Sequence, residues 1–110
     1  MRYSIEFKYQ FEVLIPFRDN QGKPFPSSKL DQVGATLLEQ FGGCYSQPLS
    51  PYLGLWRREE MTYREGLLMW VVDAPRSDES LEWFLSYKRR LRRQFRQVEI
   101  YLAMTEVLWL

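Results

Sequence analysis

Apolar and polar residues alternate strictly at the start of the chain. Odd positions 3–17 are all aliphatic or aromatic, whereas even positions 2–12 are polar or charged. Because successive side chains of a β-strand point to opposite faces, the pattern predicts a long strand with one face on a core and a charged face away from it. In this register Phe7, Tyr9 and Phe11 are expected to face the core.

The second element is predicted to be a helix. Ser27 or Ser28 can cap its N-terminus, and Asp31 is placed to complete a capping-box-like arrangement with Ser28. Apolar residues then recur at helical spacing, and the pair Gly42-Gly43 is expected to end the helix.

Two strands are expected in the middle of the chain. Residues 44–56 favour an irregular edge strand, because Pro48 and Pro51 cannot donate ladder hydrogen bonds and Gly54 has no side chain to pack. After a charged turn, the apolar residues within 63–73 suit a strand that is buried on both faces. The two strands are expected to form a hairpin.

A second helix is predicted to begin after Ser77, a favoured N-cap residue. Asp78 and Glu79 lie in its first turn, where negative charge complements the helix dipole. The residues on or near its apolar stripe are Leu81, Phe84, Leu85, Leu91 and Phe95. Residues 98–109 contain enough β-branched and aromatic side chains to form a final strand.

The predicted order is therefore strand, helix, strand, strand, helix, strand. This order is typical of an α+β ferredoxin-like sandwich, in which two helices cover one face of an antiparallel sheet. The chain has 110 residues, about the usual size of one domain, so we predict a single ferredoxin-like domain over residues 1–110.

The face of the sheet opposite the helices is expected to carry unusually many apolar residues. Glu6, Lys8, Gln10 and Glu12 would occupy its centre, but the outward positions of the fourth strand include Tyr101, Ala103, Val107 and Trp109. A large apolar surface left in water usually has a partner. The sequence therefore predicts a homo-oligomer, and the residues expected at its interface are Trp70, Tyr101 and Trp109.

A run of basic residues at the end of the second helix is the strongest local charge feature. Its members are Lys88, Arg89, Arg92, Arg93 and Arg96. Such a patch could bind the phosphates of a nucleic acid. Cations are also favoured near a helix C-terminus, and we favour this simpler interpretation of a solvated helix face over a nucleic-acid partner.

The residue types leave few catalytic alternatives. The chain has no histidine, so the usual general base and the commonest transition-metal ligand are missing, and we predict no catalytic residue, metal site or cofactor. Cys44 has no histidine partner, which favours a small buried residue over a nucleophile. Glu6 and Glu12 could share a face with Lys8, but an ordinary charged strand surface is the simpler interpretation.

Composition indicates the compartment of the cell in which the protein is expected, but it does not identify a partner. The formal net charge is +1, which gives no global attraction to nucleic acid or to an anionic membrane. Cys44 cannot form an internal disulfide, the N-terminus lacks the apolar segment of a signal peptide, and the longest apolar run is far shorter than the roughly 20 residues of a membrane span. We therefore expect a soluble protein of the cytoplasm, with no membrane partner.

Three short motifs carry a resemblance to a family. Phe41-Gly42-Gly43-Cys44, Gly54-Leu55-Trp56 and Tyr63-Arg64-Glu65 precede or enter the apolar third strand. The pattern resembles that of small uncharacterised bacterial proteins. The resemblance implies a small plait-like domain, and it transfers no activity, because none is known for that group.

These features lead to one main functional hypothesis and two alternatives. The main hypothesis is a self-associating binding or assembly module without enzymatic activity, acting on a protein or small-molecule partner. The best place for a small ligand is a cleft beside the third strand, lined by Trp56, Tyr63, Arg64 and Glu65. The first alternative is a small enzyme of the dimeric α+β barrel type with a pocket between sheet and helices, and the second is nucleic-acid binding through the basic helix.

Overall fold

The chain folds into a four-stranded antiparallel sheet with two helices on one face, as the sequence predicts. The computed structural model describes residues 4–58 and 61–110, with side chains described for 4–47 and 66–110. The elements are β1 (Glu6–Pro16), α1 (Ser27–Phe41), β2 (Tyr45–Arg58), β3 (Met61–Pro75), α2 (Asp78–Gln94) and β4 (Tyr101–Trp109). The strand order is β2-β3-β1-β4, so β1 and β3 are central.

Strand β1 keeps the predicted alternation along most of its length. Phe11, Val13 and Ile15 are buried under the helices, and Phe11 stacks on Phe84 of α2 with ring centroids 3.9 Å apart. Phe7 departs from the prediction: it is 53% exposed, with the Arg76 guanidinium 5.2 Å above its ring. The alternation places Phe7 on the helix side of the sheet, but strand periodicity does not show how far along the strand the helices extend.

Helix α1 begins and ends at the expected positions, but its N-terminal cap differs from the prediction. The N-cap residue is Pro26, and no side chain caps the helix, because the helix starts at Ser27 and so includes both candidate serines. At the other end Gly42 has a left-handed φ of 78°, and its N–H donates to the Leu38 carbonyl. Glycine adopts this conformation without the strain that a Cβ would cause, which explains the stop.

Gly34 lies in the interior of α1, where glycine normally weakens a helix. An added Cβ at this position would lie 2.4 Å from Cη2 of Trp70. Trp70 comes from β3, where it pairs with Val13, and its indole packs against this turn of α1. The glycine therefore allows a large ring to fit between helix and sheet.

Helix α2 has the predicted cap. The Ser77 hydroxyl accepts a hydrogen bond from the Ser80 N–H at 3.2 Å. Tyr87 is a further core residue that the sequence pattern did not identify. Leu85 lies at the side of the apolar stripe and is exposed, as is Val98, which precedes β4.

The β2–β3 hairpin is also as predicted, with β2 at an edge of the sheet. Its register shifts between Pro48 and Leu53, where proline interrupts the ladder. The predicted charged turn includes residues 59–60, which lie outside the described residues. In the described part of β3, both sets of alternate side chains contain buried residues, such as Val71 on the open face and Val72 under the helices. Of the helices described, neither has the length and apolarity to cross a membrane.

Candidate ligand site on the open sheet face

The open face of the sheet is the side away from the helices, and three strands place polar groups on it. Lys8, Gln10 and Glu12 project from β1, as the alternation predicts. Gln10 pairs with Asp73 on one side and with Thr105 on the other, so these residues share the open face. Trp109 of β4 pairs with Glu6 in the same register, so it also lies on the open face.

The Asp73 carboxylate is the centre of this cluster. Nε2 of Gln10 donates to one carboxylate oxygen at 3.0 Å, and Nε1 of Trp109 donates to the other at 3.1 Å. These two donors hold the carboxylate in one orientation. Because a carboxylate oxygen can accept more than one hydrogen bond, each oxygen keeps acceptor capacity for a ligand.

Trp109 provides an aromatic surface beside the carboxylate. Its side chain lies across the open face, with Nζ of Lys8 4.2 Å from the ring centroid. Trp109 is nevertheless 47% exposed. The arrangement therefore combines a fixed hydrogen-bond acceptor, a cation and an accessible aromatic ring, which can orient a polar ring-containing molecule. We name Lys8, Gln10, Asp73 and Trp109 the Asp73 cluster.

The ligand residues predicted from sequence lie at the other end of β3. In the backbone register Trp56 pairs with Tyr63, and Arg64 and Glu65 follow along the same hairpin. The side chains of all four lie outside the described residues, so this site stays a prediction. Residues 63–65 and Asp73 are near opposite ends of the strand.

The three predicted interface residues do not share a surface. Tyr101 and Trp109 lie on the open face of β4, and Tyr101 is 43% exposed. Trp70 faces α1 on the opposite side of the sheet, where its Nε1 is buried without a hydrogen-bond partner. A single interface on the open face could use Tyr101 and Trp109, whereas Trp70 has a packing role.

The predicted basic patch is distributed over the exposed side of α2 and the residues that follow. Lys88 is engaged by Glu99, with Nζ and Oε1 2.9 Å apart. This hydrogen bond, together with the N–H of Ile100, lowers the pKa of the Glu99 carboxyl. The remaining members Arg89, Arg92 and Arg93 line an open depression of about 300 Å³ with Gln97, and Arg96 is exposed.

Cys44 is half-buried beside α1. Its thiol donates to the Gly34 carbonyl at 3.7 Å, and burial raises the pKa of that thiol. A raised pKa reduces the thiolate fraction, so this environment does not favour a nucleophile. Within residues 4–47 and 66–110, no cluster of three or more acidic or cysteine side chains is arranged to hold a metal ion.

The space between sheet and helices is occupied by side chains in the described part of the chain. Phe11, Phe84 and Leu37 meet there and are almost fully buried. In the described part of the chain, a depression near Arg92 and a smaller one near Trp83 are lined by residues of α2 and by Gln97, and not by sheet residues. This filled core gives no support to the barrel-type pocket that the first alternative requires.

Sequence reasoning identified most members of the Asp73 cluster but not the cluster itself. The alternation places Lys8 and Gln10 on the charged face of the first strand, and it places Trp109 on the open face of the fourth. The pattern assigns Asp73 to a strand that is buried on both faces, which indicates no site at this position. The available signal is an acidic residue that directly follows Leu67, Met69 and Val71 in the same alternate set of β3.

Comparisons with known proteins find a similarity of fold. No protein-family model matches the chain, and no curated protein matches it in sequence. Among solved structures, the chain is similar to a phage SAM lyase in complex with S-methyl-5'-thioadenosine, with a TM-score of 0.65 and 10% sequence identity. The similarity covers 99% of this chain and 92% of that chain. The chain therefore shares the small α+β fold of this lyase.

Proposed function

We propose that this protein binds a small molecule on the open face of its sheet, at the Asp73 cluster. The observation that carries the proposal is the Asp73 carboxylate, which Gln10 and Trp109 hold beside an exposed indole ring. The ligand class that fits these groups is an adenosine-type nucleoside, including its 5'-thioethers.

Two physical features support this class. A carboxylate is a good acceptor for ribose hydroxyl groups, and dinucleotide-binding proteins use an acidic residue in this way. An accessible indole can stack on a purine ring, because both are flat, polarisable and largely apolar. Asp73 and Trp109 are in hydrogen-bond contact, so one nucleoside can reach both groups.

The shared fold gives a reason to test this class first. The phage lyase was solved with S-methyl-5'-thioadenosine, a nucleoside thioether, and it matches nearly the whole of this chain. A similar fold can serve unrelated functions, so the proposal depends on the Asp73 cluster and uses the comparison to select the probe.

Isothermal titration of the wild-type protein with S-methyl-5'-thioadenosine and with SAM tests the proposal. We expect saturable binding of at least one of them. Replacing Asp73 with asparagine removes the charge but little volume, and is expected to weaken binding by about tenfold or more, because hydrogen bonds to a charged acceptor are the stronger ones. Trp109→Phe keeps a ring and removes the N–H donor, so its affinity should lie between those of wild type and Trp109→Leu.

Asp31→Asn is a matched control, since Asp31 is an exposed residue of α1. This variant should bind like the wild type. Circular dichroism of each variant establishes that the fold is retained. If neither probe binds the wild type at about 1 mM, the proposal is contradicted. A dissociation constant of about 1 mM corresponds to a binding free energy of only about −4 kcal/mol. Equal affinities of the wild type and Asp73→Asn would also contradict the proposal.

A further inference from the structure

Strand β4 forms an unprotected edge of the sheet. Among residues 4–58 and 61–110 it pairs with β1 alone, and the strand order places it at the end of the sheet. Natural edge strands are usually blocked by proline, lysine, a bulge or short length. The nine residues of β4 contain no proline, lysine or arginine, and Glu106 is their only charged residue.

Large apolar side chains along this edge are exposed on both faces of the sheet. Tyr101 and Trp109 are 43% and 47% exposed on the open face. Met104 and Leu108 are 37% and 47% exposed on the helix side. Free backbone groups and apolar side chains thus occur together along one strand, which is the combination that strand pairing uses.

We propose that β4 pairs antiparallel with β4 of a second copy of this chain, about a two-fold axis through Thr105. Such an interface is isologous, because the same strand is used by both copies. In this register Thr105 faces Thr105 of the second copy. The other opposed pairs are Tyr101 with Trp109, Leu102 with Leu108, Ala103 with Val107, and Met104 with Glu106.

The β4 sequence is self-complementary in this register. Three of these pair types join apolar or aromatic residues, which are favourable cross-strand neighbours. Glu106 faces Met104 rather than another acid, and it stays within reach of Arg76 of its own chain, at 3.6 Å. A register centred one residue later would bring the two Glu106 carboxylates together on the axis, and like charges directly opposite are destabilising.

The pairing would join the two four-stranded sheets into one continuous sheet. Because the axis is perpendicular to the sheet, the helices of both copies lie on one side and the open faces on the other. Tyr101 of the second copy then lies opposite Trp109, at the border of the Asp73 cluster. The inference goes beyond ligand binding and stands without it, because it uses only β4.

Charge variants at Thr105 test both the surface and the register. Thr105 is exposed on the open face and is not part of the core. Thr105→Lys and Thr105→Glu each place two like charges on the two-fold axis, and each should raise the dimer dissociation constant by about 100-fold or more. An equimolar mixture of the two variants places lysine opposite glutamate and should recover the dimer as a heterodimer. Light scattering coupled to size-exclusion chromatography, over a concentration series, measures the molar mass of each variant and of their mixture.

Gln40→Lys is the control, since Gln40 is exposed on α1, away from β4, and the change alters net charge as Thr105→Lys does. It should leave the dimer intact. A wild type that stays monomeric up to about 100 μM would overturn the proposal. The proposal would also be overturned if the dimer persists in both charge variants, or if mixing the two variants does not restore a dimer. Association into open-ended oligomers would overturn it as well. Ligand titration of the wild type is a separate readout, since it does not depend on the charge variants, so failure of the dimer and failure of ligand binding are distinguished.

Discussion

Replacing Phe84 with alanine is expected to destabilise the protein by about 3–5 kcal/mol, the usual cost of deleting a buried aromatic ring. Phe84 is 1% exposed. It stacks on Phe11 of β1 at 3.9 Å and on Phe41 of α1 at 5.1 Å, with interplanar angles of 13° and 10°. One ring therefore joins both helices to the central strand, and the surrounding rings cannot easily close the cavity that its removal leaves.

This loss is a large fraction of the total stability of a typical domain, which is about 5–15 kcal/mol. Urea denaturation followed by circular dichroism measures it as a lower midpoint with a similar slope. Leu85→Ala is the matched control, because Leu85 is the next residue of α2 but is 55% exposed. Its cost should stay below about 1 kcal/mol. Similar costs for the two variants would contradict the stacked arrangement at Phe84.

Gly34→Ala is expected to destabilise the protein by about 1–3 kcal/mol, the usual cost of overpacking a core. The direction is informative, since alanine is favoured over glycine in a helix interior by about 1 kcal/mol. Here the new Cβ would lie 2.4 Å from Cη2 of Trp70, with two further ring atoms at 3.0 and 3.1 Å. The steric conflict with the indole outweighs the gain in helix propensity.

Repeating the substitution in a Trp70→Phe protein tests whether the contact with the indole causes the loss. Trp70→Phe removes the part of the ring that approaches Gly34, so adding Gly34→Ala to it should be neutral or stabilising. Gly43→Ala is the control, because a Cβ there has no heavy atom within 4 Å, and it should change stability little. If Gly34→Ala destabilises both backgrounds equally, the indole is not the cause. Thermal and urea unfolding of Gly34→Ala, Trp70→Phe, the double variant and the Gly43→Ala control, each against the wild type, measure the energetic coupling between positions 34 and 70.

The fold was accessible from the sequence because its signals are local. Period-two alternation in β1, Ser77 before an acidic first turn, and Gly42 after an apolar helix each depend on a few neighbouring residues. The sequence did not show in this way how much of each strand or helix its neighbours cover. Phe7 and Leu85 follow the correct periodicity, yet both are exposed, because the surface that one element covers depends on where its neighbour begins and ends.

The Asp73 cluster could not be predicted for a related reason. Its members come from β1, β3 and β4, and they meet only through the register of two strand pairs. A shift of one residue in either pair would move a member to the other face of the sheet. Each strand pattern indicates which residues alternate, but not which residue of one strand lies beside which residue of the next.

The sequence by itself determined the order of elements, the apolar face of β1 and the polar residues of the open face, because backbone geometry imposes these periodicities on any strand or helix. Only the tertiary structure decided that Trp70 packs against Gly34 while Tyr101 and Trp109 lie on the opposite side of the sheet. It also brought the Trp109 indole to Asp73. Such contacts between distant residues depend on strand register and on the fit of helix against sheet, which are properties of the packed chain as a whole.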